Sequence, residues 1–373
     1  MGFTNTATTI EHALRTTDNR PSGFDYMRVI LAAGVVLAHS RLLTGDLGPR
    51  SETSIGPYIG FVSVFLVPMF FALSGFLVAG SLERCRTLPG FLALRVIRIA
   101  PALAVEVFLS ALILGTLLTA FSYKDYFSDR LFFLYFLNMI GEVQYKLPGL
   151  FLGNPVTVVN GQIWTVPYEL LCYVVLSAIA VAGMYKARKY LLVVLALFCV
   201  AQIINTIYRP NAEFGGAGGS TAVMCFVAGL TVYRFRDKIP YSAPWCLIAV
   251  IFSYFIVFFQ SGIPNGMRFA ALPIAYFTVY LGLLNPARNI VLSGDYSYGI
   301  YLYGFPVQQA VVQLLPMHRE WYWNLVVALP VVIVIAVLSW WLVEKPCLAR
   351  RSLIQIAEDR RASRHAVEAQ ERA

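Results

Sequence analysis

Apolar residues in this chain are gathered into long runs separated by short polar stretches. Ten runs, at 24–43, 57–80, 99–119, 162–184, 190–207, 219–233, 244–260, 268–284, 296–315 and 324–343, are each close to the roughly 20 residues that cross a bilayer core as a helix. The pattern has neither the period of two of a half-buried strand nor the narrow apolar stripe of a surface helix. It predicts an all-α, polytopic integral membrane protein with about ten transmembrane helices. One further run, 131–140, is too short to cross and is expected to be re-entrant or to lie along the interface. Pro68, Pro101, Pro167, Pro273, Pro306 and Pro330 fall in or at the ends of these runs, where they are expected to kink helices.

Charge sets the orientation. With the N-terminus inside, the inner flanks collect Arg84, Arg86, Arg95, Arg98, Lys186, Arg188, Lys189, Arg234, Arg236 and Lys238, while the outer flanks hold fewer basic residues. This is the asymmetry of the positive-inside rule. It predicts both termini inside, and it requires 131–140 not to cross. The expected organisation is a cytoplasmic segment 1–23, a transmembrane domain 24–346 and a cytoplasmic tail 347–373, charged from about 355. Segment 1–23 is polar, unlike a cleavable signal peptide, so the first run is expected to act as the insertion signal. Gly215-Gly216-Ala217-Gly218-Gly219 is expected to be an outer loop; it follows no strand and is not a nucleotide loop.

Composition agrees with the runs. Hydrophobic residues make up 58% of the 373 and charged residues 13%, about half the charged share of a soluble domain. The net charge of +9 is scattered between runs and comes with no nucleic-acid motif, so no nucleic-acid partner is expected. None of the six cysteines forms a CxxC pair, and only four histidines are present. Neither a disulfide framework nor a metal site is expected. Nothing in the sequence sets the oligomeric state.

Ionisable residues inside a span are costly and point to function. They are Asp25 and Arg28 at the start of the first run, His39 near its outer end, Glu106 in the third and Glu169 in the fourth. Eleven residues separate Arg28 from His39, roughly 16 Å along a helix, which puts His39 in the outer half of the bilayer. Glu169 reaches a similar depth from the outer side. An imidazole beside a carboxylate suits general-base chemistry; a histidine bonded to a backbone carbonyl is the alternative. Arg95 and Arg98 share a helix face at i and i+3, which suits a phosphate or pyrophosphate, although inner-face anchoring is the plainer explanation of the pair. Trp164, Tyr168, Tyr298, Tyr301 and Tyr303 sit at span ends. There they fit an aromatic belt or the lining of a sugar or pantetheine channel.

Five segments carry a further resemblance. They are Asp25-Tyr26-Met27-Arg28 followed by Ala38-His39-Ser40; Phe70-Phe71-Ala72-Leu73-Ser74-Gly75-Phe76; Arg95-Val96-Ile97-Arg98-Ile99-Ala100-Pro101; Ile163-Trp164-Thr165-Val166-Pro167-Tyr168-Glu169; and Tyr296-Ser297-Tyr298-Gly299-Ile300-Tyr301-Leu302-Tyr303, with Glu344-Lys345-Pro346 closing the last run. In this order the chain resembles the acyltransferase-3 family of membrane O-acyltransferases acting on O-antigen, exopolysaccharide and Nod factor. The resemblance implies transfer of an acyl group, usually acetyl, from cytoplasmic acyl-CoA to a hydroxyl of a glycan or glycolipid. Acetyl-CoA would be a co-substrate, no cofactor would be tightly bound, and the protein would sit in the inner (plasma) membrane.

On that reading Arg28, Arg95 and Arg98 bind the CoA phosphates. His39 is the general base or becomes transiently acylated. Glu169 orients His39 or belongs to the acceptor site, and Asp25, Trp164, Tyr168, Tyr301 and Tyr303 line the substrate path. One departure is Gly304, where the family often has histidine. The competing reading is a transporter or flippase whose buried charges form a substrate path; a purely structural envelope partner is a third.

Overall fold

The computed structural model describes residues 8–46, 56–208, 215–258, 267, 269–286 and 294–352. All its regular secondary structure is helical: α1 Ile10–Arg15, α2 Gly23–Thr44, α3 Gly56–Arg84, α4 Leu88–Phe108, α5 Gly115–Leu118, α6 Tyr123–Ser128, α7 Arg130–Tyr135, α8 Val166–Val181, α9 Lys189–Tyr208, α10 Gly215–Arg234, α11 Ala243–Phe258, α12 Ala271–Gly282, α13 Ser297–Leu314, α14 Trp321–Ser339 and α15 Lys345–Ala349. A π turn over Leu109–Leu114 joins α4 to α5, and another over Trp340–Glu344 joins α14 to α15. Among the described residues, helix overlaps each of the ten expected runs. Five stretches are long and apolar enough to cross a membrane: Gly23–Thr44, Val62–Arg84, Leu88–Leu118, Gln162–Val181 and Trp321–Ala349. The protein is a helical membrane protein.

Several boundaries differ from the sequence expectation. The third long helix begins at Leu88, not 99, because Thr87 caps it by accepting from the Gly90 N–H at 3.2 Å and proline occupies its first turn. Arg95 and Arg98 therefore lie inside a helix rather than at its mouth. The glycine stretch 215–219 is not a loop but the first turns of α10. Glycine is a poor helix former in isolation, yet Gly219 lies flush on the Tyr168 ring, and a β-carbon there would overlap it. The run 131–140 is a short helix, Arg130–Ile140, whose second half tightens to 3-10 geometry. The expected tail beyond 352 lies outside the described residues.

The chain divides into two compact units. The first comprises Met1–Leu31, Phe61–Gly80 and Tyr168–Ser293. One tight crossing in it is α3 on α10. A β-carbon on Gly75 would fall on the Phe226 carbonyl, and one on Gly229 on the Ala72 carbonyl. Small residues that let helix backbones touch are the usual way membrane helices gain packing energy. The start of α2 is tied to the end of α12 by Ser22, whose hydroxyl donates to Asn285 Oδ1 at 3.0 Å and the Pro286 carbonyl at 2.7 Å.

The second unit comprises Ala32–Gly60, Ser81–Pro167 and Gly294–Ala373. Here α13 packs on α14 with Gly299 against Ala336. The loop 141–161 has no regular structure but is densely tied. Gln309 of α13 donates to the carbonyls of Val156 (2.7 Å) and Val158 (2.5 Å) and accepts from Asn154 Nδ2 at 2.8 Å. Thr119 donates to the Pro148 carbonyl at 2.8 Å. Phe151 is fully buried with φ +56°, an uncommon conformation for a non-glycine residue that the surrounding ties must hold. This loop delivers Asn160 and the 3-10 turn Gln162–Thr165.

Candidate active site

Three polar groups line up along α4 and α13 within the second unit. At one end is Arg98. Its guanidinium reaches Asp295 at 2.5 Å and Glu344 at 3.2 Å, and it lies over the Tyr298 ring. Glu344 is 2% exposed and also accepts from Ser339, which accepts from the Tyr303 hydroxyl. The third and fifth segments and the closing Glu344-Lys345-Pro346 thus meet through one cation and two carboxylates. Arg98 is already faced by two carboxyl groups. Arg95, on the same helix, donates to Ser81 Oγ at 3.1 Å and lies over Phe91, while its Nε is buried with no partner.

Eight residues further along α4, about 12 Å, sits Glu106, fully buried. Its Oε1 accepts from Ser110 Oγ and from Asn160 Nδ2, both at 2.8 Å, and Asn160 Nδ2 also donates to the Leu302 carbonyl at 3.2 Å. Glu106 Oε2, Asn160 Oδ1 and the Tyr135 hydroxyl are buried without partners. The π turn begins three residues after Glu106, and such turns are frequent at functional sites.

Two residues beyond Asn160 is Gln162, 1% exposed. Its side chain faces His39, yet neither its amide oxygen, its amide nitrogen nor His39 Nδ1 has a hydrogen-bond partner within normal limits. The edge of Phe305 meets the His39 ring at 5.1 Å and 77°. The turn carrying Gln162 is held by its own carbonyl, which accepts from Thr165 Oγ1 at 3.1 Å and from the Tyr301 hydroxyl at 3.2 Å. Gly161 lies against Phe305, where a β-carbon would come within 2.7 Å. At Gly304 a β-carbon would meet Val36 Cγ2 at 3.0 Å and Gln162 Oε1 at 3.9 Å. Val36 and Gln162 are thus near neighbours of Gly304.

The sequence-derived candidates fall as follows. His39, Arg95, Arg98, Trp164, Tyr301 and Tyr303 belong to the second unit, and Asp25, Arg28, Tyr168 and Glu169 to the first. Trp164 lies in the Gln162–Thr165 turn, Tyr301 clamps that turn, and Tyr303 is buried on Ser339. In the first unit Glu169 Oε1 accepts from the Tyr173 hydroxyl at 2.6 Å, and Asp25 lies 3.9 Å from Arg28. Gln162 and Asn160 escaped the sequence reading because neutral amides leave no mark in a search for charge. Glu106 was visible there as a buried acid, but nothing in the sequence gave it a partner. Among the described residues no cluster of histidine, cysteine and acidic side chains could hold a metal.

Comparison fixes the class: residues 22–345 match the acyltransferase domain of the acyltransferase-3 family, and the chain belongs to that family. It is an enzyme, an acyltransferase. Among its relatives are an "O-acetyl transferase" of Shigella phage Sf6, 28% identical over 88% of this chain and 96% of its own length, and "Nodulation protein 10" of Rhizobium leguminosarum bv. viciae, 27% identical over 89% and 94%. A third is the "Putative peptidoglycan O-acetyltransferase YrhL" of Bacillus subtilis (strain 168), 23% identical over 77% of this chain and 50% of the relative. No solved structure matches.

Proposed function

We propose that this protein transfers an acetyl group from acyl-CoA on the cytoplasmic side to a hydroxyl of an envelope glycan or glycolipid, with His39 as general base. The observation that carries this reading is His39 itself, whose Nδ1 is buried without a partner beside a partnerless amide, in a chain of the acyltransferase-3 family. His39 takes the proton of the acceptor hydroxyl as its oxygen attacks the thioester carbonyl. The C–S bond then breaks, and the departing thiolate takes up the proton.

Arg95 contacts the CoA phosphates, a guanidinium being suited to them. Arg28 is a second phosphate ligand. Arg98, expected to share that role, is committed to Asp295 and Glu344; it fixes the helix that carries Arg95. Trp164, Tyr168, Tyr301, Tyr303, Glu169 and Asp25 serve the acceptor path. The protein crosses the inner membrane ten times with both termini cytoplasmic, as the basic flanks require.

The test uses the full chain in lipid nanodiscs with acetyl-CoA and a glycan pool released from the host envelope, scored by free CoA thiol. His39→Ala is expected to lower the rate by about 10²–10⁴-fold, the usual worth of a general base. A folded His39→Ala variant at full rate refutes the reading, and glycan movement without thiol release favours a transporter instead.

A further inference from the structure

Buried polar atoms are almost always paired, so each unpaired one calls for an explanation. In the second unit several such atoms lie on the short stretch Asn160 to Gln162 and on the groups it faces: His39 Nδ1, both amide atoms of Gln162, Asn160 Oδ1 and Glu106 Oε2. A side chain with both polar ends stranded destabilises the fold. Met at this position would fill a similar volume without that cost. The fold nevertheless fixes Gln162 in place. Thr165 and Tyr301 hold its carbonyl, and Asn160 is anchored to Glu106 and Leu302 two residues before it.

We infer that Gln162 is the positioning residue of His39: its amide oxygen accepts from Nδ1–H, which directs Nε2 at the acceptor hydroxyl. The inference rests on His39 being the base, as proposed above. An imidazole can serve as base at one nitrogen only if the other carries the proton, and the partner of that second nitrogen selects the tautomer. Hydrogen bonds of catalytic groups are often long in the unliganded state and tighten when substrate binds, which accounts for a pair that faces without bonding. Phe305, set T-shaped to the ring, limits its rotation. Among the described residues, the groups that face His39 are Gln162 and Phe305. The base is therefore oriented by a neutral amide. Glu106 acts one step further out, by holding Asn160 and so the turn.

In the reaction the acceptor O–H proton passes to Nε2, and the new O–C bond forms at the thioester carbonyl. The C–S bond breaks and the thiolate is protonated from Nε2–H. Through these steps Nδ1–H stays on Gln162 Oε1.

The experiment compares Gln162→Met, Gln162→Glu and His39→Ala in nanodiscs, with acetyl-CoA and the envelope glycan pool, following kcat, KM, melting temperature and the pH profile of kcat/KM. Gln162→Met is expected to lower kcat by about 10²-fold, within the range of a lost general-base contribution, with KM little changed and melting no lower than wild type. Gln162→Glu places a carboxylate on Nδ1–H and favours the imidazolium. It is expected to move the acid limb of the profile to higher pH, which a packing role would not do. Gln162→Met at wild-type kcat, or a Gln162→Glu profile superimposable on wild type, overturns the inference while leaving His39→Ala inactive. Full activity in His39→Ala instead removes the proposed function on which the inference rests.

Discussion

The charge network around Arg98 allows a quantitative test of what holds the second unit together. Arg98 stands between Asp295 at 2.5 Å and Glu344 at 3.2 Å, with side-chain exposures of 23%, 21% and 2% respectively. Glu344 contributes most, since a carboxylate that buried has no water to turn to. Removing the cation while leaving the acid costs about 3–5 kcal/mol for a buried pair, whereas a partly exposed partner such as Asp295 adds at most about 1 kcal/mol.

Arg98→Met should therefore lose about 3–5 kcal/mol, at least a hundredfold in the ratio of folded to unfolded protein. Glu344→Gln in the same chain should restore most of it, because the neutral amide needs no counter-ion and still bonds Ser339. The coupling between the two changes should be about 2–3 kcal/mol, at the upper end for groups in direct contact. Unfolding in mixed detergent micelles, followed by tryptophan fluorescence for the wild type, both singles and the double, measures it. A single substitution costing under about 1 kcal/mol, with the double simply additive, would show that the network is solvated and that Arg98 is available to the donor phosphates after all.

Other outcomes follow from particular contacts. Gly75→Ala places a methyl group on the Phe226 carbonyl and should cost about 1–3 kcal/mol, the usual range for overpacking; an unchanged melting temperature would mean α3 and α10 do not cross so closely. Gln309→Leu strands the Val156 and Val158 carbonyls, each worth about 1–3 kcal/mol when buried. It should lower kcat through the loop that carries Gln162, and proteolysis within 141–161 should accelerate. Glu106→Gln keeps an oxygen for Ser110 and Asn160 and should retain most activity, whereas Glu106→Leu should lose it; equal rates for the two would remove Glu106 from the positioning chain. Arg188, 2.6 Å from Asp237 and outside the spanning helices, holds that carboxyl below its usual range. Stability gained this way is present at neutral pH and lost as pH falls through the lowered value. Arg188→Met should flatten the acid limb of a melting-versus-pH curve by a small amount, because both groups are exposed.

The helices could be read from the sequence because burial in lipid imposes a length and a composition on each. Their ends were less legible where a charge looked like a boundary. Arg95 and Arg98 suggested a loop edge, but Ser81 bonds the first and Asp295 and Glu344 the second inside a helix. The glycine stretch at 215–219 suggested a loop because glycine seldom favours helix; what matters at Gly219 is the space it leaves for Tyr168. The site divides in the same way. His39 and Glu106 stood out as ionisable groups in apolar surroundings. Gln162 did not, since its position depends on a loop pinned by Gln309, 151 residues further along the chain from Val158.

A neutral amide beside the histidine has a physical rationale in this setting. Charges inside a bilayer are expensive unless opposed, and Arg98 is matched by two acids. A carboxylate next to His39 would need a cation of its own when the imidazole is neutral, and would stabilise the imidazolium so far that the histidine held its proton. An amide oxygen fixes the same tautomer without either cost, and it can be left briefly unbonded before substrate arrives. The price is the stability lost at stranded polar atoms, as protein active sites often show. If that is the trade made here, Gln162→Met should melt higher and turn over more slowly than wild type. A variant that is both more slowly reacting and less stable would instead place Gln162 among the packing residues.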